Sequence, residues 1–265
     1  MKKKHDYESY EASMKAAAPH RAKACIFMET DASDETVREE TRYASALCDD
    51  PSSAMAGVIV GGNLLTGAFG GYIRSCLEEH GAHIKGVRQV LHPLEKETCL
   101  GKAFVKNVTL LGELGLLFEV CIQPDQLEDV AELATICPAT TFVVNHIGCI
   151  QGIRRSEEKR EDWKRGVEAI AKMPNIVMKI SGMLGGWDGG MPDFEFEMQK
   201  PYLDHALDCF SADKVVYGSD YPVCNGTANA GEYFRQLAAH VTATRGESFV
   251  AKLFEGNARR VYAIR

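Results

Sequence analysis

Seven short runs of β-branched and apolar residues recur along the chain, at 23–29, 55–63, 83–91, 116–124, 141–148, 176–183 and 215–222. They are nearly continuous in hydrophobicity instead of strictly alternating, the pattern of strands covered on both faces, and each is read as a strand. Helical spacing fills the intervals. The stretch 33–49 opens on a capping-type Ser33, Asp34 and Glu35, and 125–137 sets Leu127, Val130, Leu133 and Ala134 along one face. Residues 194–210 and 248–263 carry a similar pattern. Strands alternating with helices predict parallel pairing.

A strand and helix series over about 250 residues, with no Gly-rich dinucleotide fingerprint behind any strand, favours a closed cylinder over an open doubly wound sheet. The expected fold class is α/β, a TIM-like (β/α)8 barrel. Only seven strands can be counted, because residues 1–22 offer none and 7–18 reads as a helix. The barrel is therefore expected to lack its first strand and to keep two unpaired edges, which invite aggregation or pairing of copies into a homo-oligomer. No Pro/Gly/Ser-rich linker or low-complexity tract divides the chain, so residues 1–265 are read as one barrel domain.

With 45% apolar and 25% charged residues among 265, the chain can bury a sizeable core, which excludes disorder and fibre. Thirty basic against thirty-seven acidic residues give a formal net charge of -7, the opposite of the basic stripe that a phosphate backbone attracts, so nucleic acid is not expected as a partner. No apolar run approaches the ~20 residues needed to span a bilayer, and the opening turns acidic where a signal peptide would turn apolar. A cytoplasmic protein with no membrane partner is expected. The nine cysteines are odd in number and lack any C-x-x-C pair, so they are read as free thiols, with Cys25 and Cys121 as small apolar filler inside their strands.

Arg88, Glu119, Gln123, Asn145, His146, Lys179, Ser181 and Asp220 all stand in the later half of an otherwise apolar run. That end of a β/α barrel carries the active site, and buried charges must pair or face a wet cavity. Period-two alternation puts Asp220 on the face of Val216 and Gly218, where it would serve as a general base or a metal ligand, or else as a loop cap. His146 ends its run in the same way. Arg88 shares parity with His92, and its planar fork suits a carboxylate or a carbonyl oxygen; the structural alternative is an ion pair with Glu119. Lys179 and Ser181 share a parity and would complete the rim. His80 and His83 form an H-x-x-H that a helix end at Gly81 would point apart. The Gly-rich stretch 185–190 lacks the Lys-Ser/Thr of a phosphate loop and reads as a lid or surface loop, and 154–161 mixes both signs as a solvated helix start.

Five segments, Gly86-Val87-Arg88, Asn145-His146-Ile147-Gly148, Lys179-Ile180-Ser181-Gly182, Gly218-Ser219-Asp220-Tyr221-Pro222 and Gly256-Asn257-Ala258-Arg259-Arg260-Val261-Tyr262, stand in an order and spacing that resembles the amidohydrolase-related hydrolases. The likeness is to their branch of sugar-acid lactonases and pyrone dicarboxylate hydrolases, and it runs from about Tyr7 to Tyr262. It implies a hydrolase that opens a lactone or related cyclic ester of a small acidic metabolite. By that likeness Asp220 would accept a proton from the attacking water, and His146 and Arg88 would bind and polarise the carbonyl or hold a carboxylate. Glu119, His92, Lys179 and Ser181 are the candidate substrate-binding residues. The family's first strand carries an H-x-H that contacts metal or substrate; this sequence has none, which leaves only His146 and Asp220 where a catalytic zinc takes three protein ligands. No cofactor is therefore expected, with a divalent metal such as zinc as the alternative. Two explanations fit the missing strand: a late starting methionine with a fuller form, or a degraded relative. The alternatives to the hydrolase are a non-catalytic truncated barrel that binds a metabolite or partner, and a related decarboxylase.

Overall fold

The computed structural model describes residues 6–150, 153, 156–183, 196–226 and 230–264. Seven strands follow one another in space as they do in sequence: β1 (Cys25–Met28), β2 (Met55–Gly61), β3 (Ile84–Val90), β4 (Leu117–Cys121), β5 (Phe142–Val144), β6 (Ile176–Ile180) and β7 (Val215–Tyr217). Every neighbouring pair is parallel. Helices fill the returns, among them α1 (Tyr7–Met14), α2 (Val37–Asp49), α3 (Phe69–His80), α4 (Lys102–Glu113) and α5 (Leu127–Ile136). A four-residue turn α6 (His146–Cys149) precedes α7 (Glu157–Ala171) and α8 (Lys200–Cys209), and α9 (Ala230–Arg245), α10 (Glu247–Ala251) and α11 (Asn257–Val261) complete the series. This is the expected TIM-like barrel with one strand missing.

Alternation divides the sheet into an outer and an inner face. Val58, Val60, Val87, Phe118, Val120, Phe142, Val144 and Met178 are buried outward against the helices. Ile59, Leu117, Val143, Val177 and Val216 form a separate inner cluster, against which Tyr262, Val261 and Ala258 pack from the α11 segment. The register then raises Gly61, Arg88 and Glu119 side by side as the next inner positions, level with Val143 of that cluster. An apolar layer thus lies beneath a layer of charge, which is why the polar strand ends are supported on one side and open on the other.

The open edges are managed by a helix. Asp6 caps α1 by accepting from Ser9 N at 3.0 Å. Tyr7 Oη accepts from Ala54 N at 2.8 Å beside β2, while Tyr10 meets the Cys25 thiol of β1 and lies 5.5 Å from the Tyr221 ring beyond β7. Gly231 of α9 makes that seat: a Cβ there would stand 2.6 Å from Ala17 N, so only glycine lets the two backbones approach. Among the described residues, no strand from residues 6–22 lies between β1 and β7, as the sequence predicts.

Several boundaries differ from expectation. The runs 141–148 and 215–222 stop pairing at Val144 and Tyr217, because the next inner residues leave the extended region: His146, Ile147, Cys149 and Asp220 all have positive φ. The helix expected at 33–49 begins only at Val37, after Ser33 O has accepted from Thr36 N and Val37 N in a preceding turn. The single helix expected at 248–263 is split by a π-helical turn, Lys252–Gly256, between α10 and α11. Residues 194–195 of the helix expected at 194–210, together with the Gly-rich stretch 185–190 and Arg154 and Arg155, lie outside the described residues. No helix among the described residues is long and apolar enough to cross a membrane.

Candidate active site

The strand-end polar residues converge. Arg88, an inner residue of β3, donates through Nε to Glu29 Oε1 and through Nη2 to Glu29 O at 2.6 Å, and its Nη1 stands 3.5 Å from Asn145 Oδ1. Glu29 follows β1 and spends its second oxygen on Asp31 N at 2.6 Å. The ion pair weighed between Arg88 and Glu119 is therefore made with Glu29 instead, because the curl of the sheet brings the β1 end across to β3. Glu29, which is not among the residues expected at the site, ends its apolar run as the other site residues do.

Glu119 is fully buried and accepts from three side chains: Tyr262 Oη at 2.6 Å, Lys179 Nζ at 2.6 Å and Asn145 Nδ2. Lys179 also lies 5.7 Å from the Tyr262 ring centroid. A buried carboxylate is tolerable only when its lone pairs are filled in this way. Burial draws the Lys179 ammonium below its ordinary value, with Glu119 opposing that fall. Glu119 and Lys179 thus form the floor beneath the opening.

Above the floor, His146 Nδ1 stands 3.8 Å from Asp220 Oδ1 and 3.1 Å from Ser181 Oγ, which also accepts from the His146 backbone N at 3.2 Å. The turn that carries His146 is left-handed over four residues, His146, Ile147, Gly148 and Cys149. Trp163 of α7, fully buried, holds it by donating Nε1 to Ile147 O at 2.7 Å. Such strain in a β-branched residue persists only where its surroundings over-determine it. Gly182 is equally specific. Its φ is +64°, and a Cβ would stand 2.4 Å from His146 Nδ1.

Burial raises the Asp220 carboxyl above the ordinary aspartate range, against the opposing pull of His146. Burial depresses His146, but Asp220 and the Cys121 sulfur outweigh it and leave the imidazole raised. Arg88 also acts on both groups through its charge. Beside Arg88 a cavity of about 550 Å3 opens at the ends of β1, β2 and β3, lined in part by Glu29, Asp31, Asn63, Thr66 and Gln89. His92 lies past the end of β3, where its N–H donates to Cys121 O at 3.2 Å. Cys121 is buried at the end of β4, as read from the sequence.

His83 and His80 point to different partners, Asp49 Oδ1 at 2.9 Å and Glu79 Oε2 at 3.9 Å. Among the described residues no three His, Cys, Asp or Glu side chains are grouped to hold a metal. The Nδ1 of His146 is engaged with Ser181 and Asp220.

Comparison with known proteins places this geometry in context. The fold matches an amidohydrolase from Burkholderia multivorans solved with bound zinc, with a TM-score of 0.83 at 24% identity over 97% of this chain and 88% of that one. It also matches a probable 2-pyrone-4,6-dicarboxylic acid hydrolase from Acinetobacter baumannii with citric acid bound, with a TM-score of 0.71 at 14% identity over 100% of this chain and 92% of that one. In sequence, L-fucono-1,5-lactonase of Burkholderia multivorans is 26% identical over 197 residues, 71% of this chain and 65% of the relative. The match thus spans less than two thirds of that relative's length. A model of the amidohydrolase family matches residues 1–264, and the chain belongs to that family.

Proposed function

We propose that the protein hydrolyses a lactone or related cyclic ester of a small acidic metabolite, with Asp220 as the base. The observation that carries this reading is the buried pair of Asp220 and His146 at the strand ends, with Arg88 beside them. Water is a poor nucleophile at neutral pH, and a positioned carboxylate contributes roughly 10²- to 10⁴-fold by taking its proton. As the new C–O bond forms, that proton passes to Asp220, and the carbonyl oxygen gains charge opposite the raised imidazolium of His146 and the guanidinium of Arg88. Collapse breaks the ring C–O bond, and the departing alkoxide recovers the proton from Asp220. No covalent intermediate is required.

Glu119 and Lys179 neutralise each other below this centre, and Ser181 orients His146. Their proposed role is to hold the reacting groups in place. The amide, hydroxyl and carboxylate groups lining the cavity suit the ring hydroxyls of a sugar lactone. The test is Asp220→Asn, assayed on a panel of sugar lactones and dicarboxylate lactones. Turnover should fall by about 10³-fold or more with folding intact. Undiminished turnover would remove Asp220 as the base. Dialysis against a chelator should leave the rate unchanged, and a loss restored by zinc would place a metal in the reaction.

A further inference from the structure

The cavity at the ends of β1, β2 and β3 stands apart from the reacting pair. Arg88 lines it, whereas Asp220 and His146 do not. The Arg88 Nη1 faces Asn145, next in the chain to His146, while Nε and Nη2 face Glu29, which also lines the cavity. His146 follows β5, two strands from β3 and so roughly 10 Å along the sheet. A single six-membered ring whose carbonyl lies beside Asp220 and His146 therefore leaves most of the 550 Å3 unfilled.

Both loops that wall the cavity are held in one shape. After β2, the buried Asn107 of α4 donates through Nδ2 to Leu64 O at 2.8 Å and to Thr66 O at 3.0 Å. Gln89 Oε1 accepts from Leu64 N at 2.7 Å, Asn63 Oδ1 accepts from Leu65 N at 3.1 Å, and Tyr72 Oη donates to Gly61 O at 2.8 Å. After β1, Glu40 Oε1 accepts from Thr30 N at 3.1 Å and Glu29 Oε2 from Asp31 N at 2.6 Å. This framework presents two kinds of surface. Leu65, 41% exposed, joins Tyr72 and Leu94 as the apolar part of the lining. Gln89 and Asn63 have spent their amide oxygens on backbone N–H groups, and their amide nitrogens have no partner among the described residues. The exposed Asp31 and Asp34 add acceptors.

A ligand that uses these groups must accept from amides and donate to carboxylates at once, which hydroxyl groups do. A cation would leave the amide N–H groups unanswered. An anion would be repelled by Asp31 and Asp34, since the two arginines of the lining are already matched, Arg88 by Glu29 and Arg38 by Glu79 at 3.6 Å. The apolar part requires that the same ligand also turn a C–H surface toward Leu65, as a pyranose ring does. We propose that the cavity receives a second sugar, so that the substrate is an aldonolactone carrying a glycosyl substituent. Its lactone carbonyl lies beside Asp220 and His146, and its glycosyl ring lies between the loops after β1 and β2. The lactone in this assignment rests on the proposed function; recognition of the sugar by the cavity does not. Walls fixed before binding lower its ordering cost, and contacts with a remote ring supply binding energy that the reacting centre can use.

The probes are the disaccharide alcohols cellobiitol, maltitol and lactitol, which have no lactone to open, titrated calorimetrically into the full chain. At least one should bind about tenfold or more tightly than sorbitol and than the matching methyl glycoside, because only the disaccharide alcohol reaches both ends of the site. Leu65→Asp should weaken that binding by about tenfold, and Leu65→Met should retain it. Gln89→Glu keeps the acceptor for Leu64 N but removes the amide donors, and it should also cost about tenfold. In turnover, kcat/KM for the corresponding disaccharide lactone should exceed that for gluconolactone by about tenfold or more. Disaccharide alcohols that bind no better than sorbitol, or full affinity in a Leu65→Asp variant folded by circular dichroism, would overturn the proposal. Equal affinity for the methyl glycoside would overturn it too, since the cavity would then take a free sugar. Tight binding with no lactone turned over would uphold the cavity's ligand and count against the hydrolase alone.

Discussion

Asp220 and His146 set each other's proton affinity, and the pair defines a window of pH. Asp220 must be ionised to accept a proton, and burial lifts its carboxyl above the ordinary 3.8, so the acid limb of kcat/KM should lie above the usual aspartate range. His146 assists as the imidazolium; with Asp220 and Cys121 outweighing burial, its charge should persist above the ordinary 6.5 and be lost only as the pH rises through the raised value. A bell-shaped profile follows. In His146→Asn the alkaline limb should vanish and the acid limb should move higher, because the main charge that lowers Asp220 has gone. An unchanged profile in that variant would show that the two groups titrate independently. The floor makes a second test. Tyr262→Phe strands Glu119 Oε1 in a buried site, which should cost about 1–3 kcal/mol of stability, read from the urea midpoint at constant m. An unmoved midpoint would mean that Glu119 finds another donor.

At the scale of elements, the site depends on short segments that leave the sheet. Trp163→Phe removes the donor that holds Ile147 O, and the loosened turn should lower kcat by about tenfold while KM changes little, since misplacement of a reacting group by 1 Å can cost up to about 10²-fold. Unchanged kcat would show that Leu127 packing against Gly148 is enough to hold the turn. Helix α1 performs a parallel task for the sheet. Deleting residues 1–18 should expose the β1 and β7 edges and produce concentration-dependent association in size-exclusion chromatography; a monodisperse monomer would mean that the edges need no cover. These segments also mark where the sequence was readable. Apolar runs revealed all seven strands, and parity grouped Lys179 with Ser181 and turned Arg88 inward, because both are local properties of an extended chain. Parity does not describe the backbone of Asp220 and His146, which is left-handed at both; the turn after His146 is held by Trp163, from the helix that follows. It also gave no hint that Glu29 partners Arg88, a contact made across 59 residues by the curl of the sheet.

Across the whole molecule the site's fixed cations are already matched: Arg88 with Glu29 and Lys179 with Glu119. Asp31 and Asp34 add negative charge around the cavity, on a protein of formal net charge -7. An uncharged sugar lactone should therefore be preferred over a dicarboxylate lactone by about tenfold or more in kcat/KM, and the gap should narrow as salt screens the field. Equal rates at low ionic strength would show that Arg88 releases Glu29 to receive a carboxylate. The Tyr262 hydroxyl reaches Glu119 from 143 residues further along the chain. During synthesis on a ribosome, β4 and β6 therefore leave the exit tunnel with their opposed charges still uncapped. A nascent barrel halted before Tyr262 can curl its strands, yet its central carboxylate would remain wet, so competence is withheld until translation has passed that tyrosine.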